Sequence, residues 1–221
     1  TYVADRDGNS AGAIDVSQGN IYFDHSFASD ASFTIAAWVY DDGTRTGSYR
    51  TIASKVQLGG YTEFAWRIRR VGSESWQDGS LEAYFNNNGS NSFRDVGNAF
   101  PSEEWVHIVM TFDASTPATF GVGTARFYEN GVEIESNANM PLTLGSGTLS
   151  FGGKTTPVES GGGGRAIPLR IAAAVDTYAE LLPIEGGSEP TMAETFSGYM
   201  DDVAFFDRVL SSEEIAILAE E

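Results

Sequence analysis

Two pairs of adjacent carboxylates, Asp41-Asp42 and Asp201-Asp202, are the side chains in this sequence whose types and spacing best suit chemistry. Adjacent carboxylates can serve as the acid and base of a hydrolase or as ligands of a divalent cation. The second pair lies in the alternating segment YMDDVAFF, which predicts a β-strand. Because neighbours on a strand point to opposite faces, we do not expect Asp201 and Asp202 to converge on one substrate atom. A carboxylate at such an apolar surface needs a cation or backbone N–H groups as partners.

The first pair precedes Gly43 and lies in a predicted turn. A turn lets successive side chains and carbonyls surround one ion, which a straight strand does not. The alternative is a turn whose acids face only solvent, and the sequence leaves both interpretations open.

Alternation of apolar and polar residues dominates the chain and predicts the strands that must position these acids. The segment FTIAAWV, residues 33–39, places its four odd-numbered residues on one face. Asn130-Gly131 and Asn88-Gly89 predict type I′ hairpin turns, and short strands at this spacing are typical of a sandwich. Strands are predicted over Phe33–Val39, Thr51–Lys55, Glu63–Arg69, Leu81–Phe85, Trp105–Phe112, Ala125–Tyr128, Val132–Glu135, Thr148–Phe151 and Met200–Phe206.

One short helix is predicted directly after the last strand. Ser211 and Glu214 have the spacing of a capping box, and Leu210 and Ile215 that of a hydrophobic staple. The helix is expected to pack on a sheet edge.

Length and composition predict one domain over residues 1–221, because 41% hydrophobic residues can form a single core. Residues 155–195 fit the alternation least well. They contain four successive glycines, an apolar run at Ala166–Val175 that suits a strand or a helix, and an acidic stretch. We interpret them as a long insertion outside the sandwich.

The net charge of the chain restricts the classes of molecule that it can bind. The chain has 31 acidic and 13 basic residues, a net charge of −18, and no cysteine. Such a surface repels nucleic acid and anionic membranes and favours cations, and thiol chemistry is excluded. No segment approaches the ~18 apolar residues that cross a bilayer, so no membrane insertion is expected. An export signal, if the protein is secreted, is expected outside this sequence.

Four stretches in order resemble laminin G-like, concanavalin A-like domains: FTIAAWV from residue 33, EWVHIVMTFD from residue 104, FYENGV from residue 127, and FSGYMDDV with RVLS from residue 196. The resemblance implies an all-β, two-sheet antiparallel jelly roll, generally an extracellular carbohydrate- or protein-binding module and often one with Ca²⁺. It favours Asp201 as a calcium ligand, with hydrogen bonding to neighbouring backbone as the alternative. The candidate metal ligands are therefore Asp201, Asp202, Asp41 and Asp42.

Aromatic and amide side chains in predicted loops are candidates for sugar contacts, since sugar rings stack on exposed aromatic faces. Trp76 lies in the polar segment GSESWQDGS, and Tyr49 is a second possible platform. Packing of Trp76 over a sheet edge is the alternative. Hydrogen bonds to sugar hydroxyls are assigned to Gln77, Asp78, Asn86 and Asn87, and core positions to Trp38, Trp66 and Trp105.

Arginines cluster within residues 45–70, where Arg67 and Arg69 share one strand face. They could bind carboxylated or sulfated sugars through paired guanidinium contacts. The alternative is that they offset the acids of this protein.

The resulting hypothesis is a non-catalytic, extracellular carbohydrate-binding module stabilised by calcium, a monomeric part of a larger bacterial adhesin or secreted protein. The glycan could be acidic. A second hypothesis is a polysaccharide lyase or glycosidase that uses His107, Arg67 and Tyr84. A third is a structural spacer that binds no sugar. Fold alone does not decide among them.

Overall fold

In the residues that it describes, the computed structural model is a sandwich of two large antiparallel sheets, with a further two-stranded sheet and one short helix. It describes residues 1–17, 21–23, 32–44, 49–56, 62–69, 81–87, 90–96, 100–114, 122–134, 149–150, 169–172, 174–175, 192–193 and 195–220.

The strands, in chain order, are β1 Tyr2–Val3, β2 Ala13–Asp15, β3 Ile21–Phe23, β4 Phe33–Asp41, β5 Tyr49–Val56, β6 Thr62–Arg69, β7 Leu81–Asn87, β8 Ser90–Val96, β9 Trp105–Ala114, β10 Val122–Glu129, β11 Val132–Glu133, β12 Leu149–Ser150, β13 Leu169–Ile171, β14 Ala174–Val175, β15 Met192–Ala193 and β16 Gly198–Phe206. The helix α1 spans Ser212–Leu218.

The large sheet has the order β1-β2-β16-β4-β9-β10-β11, with β12 also paired to β10. The small sheet has the order β3-β13-β5-β6-β7-β8, and β14 pairs with β15. The predicted all-β jelly-roll sandwich is confirmed. The hairpin at Asn130-Gly131 has the two positive φ angles, +49° and +79°, that its sequence predicts.

The core lies between the sheets and follows the alternation of the strands. Phe33, Ile35 and Val39 of β4 are buried against the small sheet, where Trp66 is fully buried as predicted. The even-numbered residues of β4 lie on the opposite side of the large sheet, which we call its outer face. Trp38 is one of them and is half-buried there, so its predicted place in the core is wrong.

Trp105 is likewise half-buried and pairs with Tyr40 on the outer face, while its neighbour Val106 joins the core. Its predicted core position is also wrong, because the core of β9 uses the even-numbered residues.

The helix α1 packs on the outer face of the large sheet. Ile215 and the preceding Leu210 contact Ala36, Val109 and Tyr128, which belong to three neighbouring strands. The capping box is present, with Ser211 accepting from the Glu214 backbone. The helix therefore covers the outer face of the sheet and also reaches its edge strand β11, beside Gly131. Within the described residues, no helix is long and apolar enough to span a bilayer.

The strand β13 corrects part of the predicted insertion at residues 155–195. Leu169–Ile171 pairs with β3 on one side and β5 on the other, so these residues belong to the small sheet. Ile171 is buried in the core, which explains the apolar run in this part of the sequence.

Gly198, the first residue of β16, lies directly against the backbone of β4. Its φ is +143°, and a Cβ there would overlap the carbonyl oxygen of Tyr40. Gly198→Ala is expected to lower the free energy of unfolding by more than the roughly 1–2 kcal/mol that a positive φ alone costs an L-residue. Gly8→Ala is the control, because Gly8 has φ +81° and open space at the Cβ position. Equal losses for the two variants in urea unfolding would show that the overlap contributes nothing.

Candidate functional site

A β-bulge in β16 interrupts the strand at the second acid pair. Asp201 pairs with Trp38 of β4, and Ala204 pairs with Ala36, so three steps along β16 match two steps along β4. Asp202 has a φ of +44°, in the left-handed region, and we assign it as the extra residue. The bulge breaks the alternation and lets two successive side chains reach the same side of the sheet.

Arg6 joins these two carboxylates. Its Nη1 atom donates to Asp201 Oδ2 at 3.1 Å and to Asp202 Oδ2 at 2.7 Å. The other oxygen of Asp201 accepts the backbone N–H of Asp202 at 2.9 Å. The carboxylates thus converge on one nitrogen, and the prediction that strand geometry separates them is wrong. The Asp201 side chain is 11% exposed and that of Asp202 is 64% exposed, so Asp202 is the carboxylate that a ligand can reach.

The turn between β1 and β2 carries Arg6, and Asp5 orders this turn. The Asp5 carboxylate accepts the backbone N–H groups of Asp7 and Asn9 at 3.0 and 2.8 Å, and the side-chain amide of Asn9 at 3.1 Å. A Cβ at Gly12 would overlap the Asp5 side chain, so glycine is needed there. The hairpin is bonded to β16 through β2, which places Arg6 and its two partners in one hydrogen-bonded unit.

Two aromatic rings lie beside this cluster. The Arg6 guanidinium carbon is 4.8 Å from the Trp38 ring centroid, and the Trp38 and His107 centroids are 5.3 Å apart. Trp38 Nε1 and His107 Nδ1 are buried, and neither atom has a hydrogen-bond partner in the part of the chain that the structure describes.

The rings and Asp202 line a cavity of about 320 Å³ on the outer face, which we call the outer pocket. Leu218, at the end of α1, contributes one wall. The lining is polar at Trp38, His107 and Asp202 and apolar at Ala36, Val203, Ala204 and Leu218. Further along the same face, Tyr40 stacks with Tyr199 at 5.3 Å and lies 5.7 Å from Trp105.

Burial and the positive charge of Arg6 shape the electrostatics of the outer pocket. Burial first, and Arg6 second, lower the pKa of His107 from 6.5 to about 4, against the opposing effect of Asp202. The imidazole is therefore neutral at pH 7. Burial, and then the charge of Asp202, raise the pKa of Asp201 above its ordinary value of 3.8.

Asp41, the first acid of the other pair, lies at the end of β4 and is completely buried. It forms an ion pair with Arg50 of β5, which is buried as well, and accepts the backbone N–H of Gly43 at 2.9 Å. This ion pair connects the two sheets through the interior. Removing either partner alone would leave an uncompensated charge at this depth and would be strongly destabilising.

Asp42 bonds to Thr44 Oγ1 at 2.6 Å and to Ser197 Oγ at 2.7 Å. All four acids predicted to bind calcium therefore face hydrogen-bond donors. In the described ranges, no group of three His, Asp or Glu side chains converges as a metal site would require. Calcium needs about six to eight oxygen ligands, and the carboxylates in this arrangement do not supply that number by themselves. The calcium prediction itself stays open to measurement.

Among the residues predicted to contact sugar on the small sheet, the structure describes the side chains of Arg67 and Tyr49. Arg67 is 8% exposed, donates from Nε to Glu82 Oε1 at 2.5 Å, and lies 3.6 Å from the Tyr49 ring centroid. Arg50 and Arg67 thus pair with acids of this protein, as the alternative interpretation of the arginine cluster expected.

The remaining predicted contacts are not tested. Trp76, Gln77 and Asp78 lie outside the described residues, as do the side chains of Arg69, Tyr84, Asn86 and Asn87, whose backbones belong to β6 and β7. Of the residues suggested for a lyase or glycosidase, His107 lies on the outer face of the large sheet beside Trp38, whereas Arg67 lies in the small sheet and pairs with Glu82.

The fold and the outer pocket define a jelly-roll domain with an aromatic and acidic cavity on one sheet. A family model described as the concanavalin A-like lectin/glucanases superfamily matches residues 11–166, and the chain belongs to that superfamily. Comparison with curated protein sequences gave no match.

Solved structures share the fold at low identity. The Ruminococcus gnavus IT-sialidase CBM40 is 13% identical, with a TM-score of 0.56 over 94% of this chain and 96% of that one. A second structure of it, bound to α2,3-sialyllactose, has 13% identity and a TM-score of 0.53 over 86% and 82%. The binding domain of Paraclostridial Mosquitocidal Protein 1 has 14% identity and a TM-score of 0.55 over 99% of this chain but 45% of its own.

The low pKa of His107 predicts a pH dependence of stability. The native imidazole binds its proton only near pH 4, whereas the unfolded chain binds it near pH 6.5. The stability associated with the neutral ring is complete above pH 6.5 and is lost as the pH falls from 6.5 to about 4. The melting temperature of His107→Gln should fall less steeply than that of wild type as the pH is lowered through this range. An NMR titration that places the His107 pKa near 6.5 in the folded protein would contradict the prediction.

Proposed function

We propose that this protein is a non-catalytic, extracellular carbohydrate-binding module and that the outer pocket is its sugar site. The observation behind the proposal is that one cavity of about 320 Å³ is lined by the Trp38 ring, a neutral His107 and the exposed carboxylate of Asp202. A sugar presents an apolar C–H face and a rim of hydroxyls, and this lining suits both.

The groups of the outer pocket have distinct expected roles. Trp38 and His107 give ring surface for apolar contact. Asp202 accepts hydrogen bonds from sugar hydroxyls. The volume lies at the low end of the roughly 300–1,000 Å³ of small-ligand sites, which suits one sugar residue better than a long chain segment.

The comparisons support carbohydrate binding in general terms. The family is named for lectins and glucanases, and one structure of the same fold is a CBM40 bound to α2,3-sialyllactose. The absence of cysteine and the net charge of −18 are consistent with a module of a larger secreted or surface protein.

A non-catalytic role is favoured by the arrangement of the acids. Asp201 and Asp202 share a single Arg6 nitrogen, so neither is positioned as an independent acid or base. Arg67, another residue suggested for catalysis, is engaged with Glu82 in the other sheet.

The charges of the outer pocket favour a neutral glycan over an acidic one. The predicted acidic glycan rested on the arginine cluster, of which Arg50 and Arg67 are buried in ion pairs. Asp202 is the exposed charge at the cavity, and the whole chain is strongly negative. Carboxylated and sulfated sugars would meet repulsion at this position.

A glycan array followed by calorimetric titration of the best ligand tests the proposal. Trp38→Ala is expected to weaken binding at least tenfold, about 1.4 kcal/mol, and Asp202→Asn to weaken it by a smaller factor. Asp207→Asn is the matched control, because it makes the same charge change at an exposed position outside the pocket lining.

Equal affinity in the Trp38→Ala and wild-type proteins would place the sugar elsewhere. Binding of no glycan by a folded protein would favour the spacer hypothesis, and release of reducing ends from a polysaccharide panel would favour the enzyme. A preference for sialylated over neutral ligands would contradict the expected charge selectivity.

A further inference from the structure

We propose that Arg6 is the resident cation of the β16 bulge, taking the role that the family resemblance assigns to calcium. In this proposal the cluster of Arg6, Asp201 and Asp202 needs no metal ion, and Arg6 acts as a positioning residue for Asp202. The part that concerns Asp202 as a sugar contact rests on the proposed function, and the rest does not.

The guanidinium of Arg6 bridges the two carboxylates of the bulge. One nitrogen of Arg6 lies 3.1 Å from Asp201 and 2.7 Å from Asp202, so a single cation bridges two carboxylates. A bridging cation is what adjacent carboxylates at a bulge require, because like charges at this distance repel one another. The Arg6 and Asp201 side chains are only 13% and 11% exposed, which limits screening by solvent.

Arg6 is held in place before any ligand binds. Three hydrogen bonds to Asp5 order the turn, and the flanking strand β2 is paired with β16 itself. The Trp38 ring lies 4.8 Å from the guanidinium carbon, close enough for a cation–π contact. An ordered guanidinium loses little conformational freedom in making these bonds.

The cluster offers few free ligands to a metal ion. The cluster supplies two carboxylates, and both already accept from a charged donor. No third acid or histidine completes a metal-binding group among the residues described. A cation beside the guanidinium would also meet its positive charge.

The proposal makes Arg6 and calcium alternatives at the same place, and this can be tested by melting without any glycan. We compare wild type, Arg6→Met, Arg6→Lys and the double variant Arg6→Met/Asp202→Asn in EDTA, in calcium and in magnesium. Arg6→Met keeps the length of the side chain and removes its charge, which leaves the two carboxylates unbalanced. A ligand bound only to the native state raises the melting temperature, so any new calcium site becomes visible.

Arg6→Met is expected to melt at least about 2 °C below wild type in EDTA and to gain more from calcium than wild type does. Arg6→Lys should recover part of the loss in EDTA, because it restores the charge with a different shape. The double variant should regain stability in EDTA and lose the extra calcium response. A merely structural role of Arg6 would lower the melting temperature without creating a calcium response.

The proposal is overturned if calcium raises the melting temperature of wild type and Asp202→Asn abolishes that rise. It is also overturned if Arg6→Met responds to calcium no more than wild type does. Should Arg6→Met fail to fold, calcium titration calorimetry of wild type against Asp202→Asn decides the point, since a calcium signal lost in the variant contradicts the proposal.

Glycan affinity gives the second measurement. With the wild-type protein, the same affinity in EDTA and in calcium supports a metal-free pocket, and loss of binding in EDTA contradicts it. Absence of glycan binding under all conditions would refute the proposed function while leaving the melting result for Arg6 unaffected.

Discussion

The one-residue bulge between Asp201 and Ala204 is the constraint on which the outer face depends. Without it, the residue after Asp201 would point into the core, where a carboxylate would lack water. With it, Val203 and Phe205 pack against the core while Asp202 lines the outer pocket. The bulge thus lets a central strand of the large sheet keep a continuous apolar inner face and still present two acids together on the other side.

Everything else at the site is arranged around those two acids. The β1–β2 hairpin supplies the balancing charge, β4 and β9 supply the ring of Trp38 and that of His107, and α1 closes one wall with Leu218. A different ion pair, Asp41 with Arg50, ties the two sheets together in the interior. The two acid pairs of the sequence therefore have different roles. Asp41 of the first pair forms an ion pair inside the sandwich, and Asp201-Asp202 lies on its outer face.

Local signals predicted the fold well, because each depends on neighbours in the chain. The alternation of β4, the positive φ angles at Asn130-Gly131 and the capping box of Ser211 all follow from a few adjacent residues. The bulge was also visible in principle, since the apolar phase shifts from Met200 to Val203. Arg6 gave no such signal, because its partner Asp201 is 195 positions away and only the folded sheet brings them together.

The position of β16 has a consequence for how the molecule assembles. This strand comes near the end of the chain but lies between β2 and β4, in the interior of the large sheet. During synthesis, β2 and β4 each keep one unpaired edge until residues 198–206 leave the ribosome. Contacts of such long sequence separation form slowly. The large sheet and the outer pocket are therefore completed in the same late event, and a partly made chain exposes unpaired strand edges that can associate with other chains.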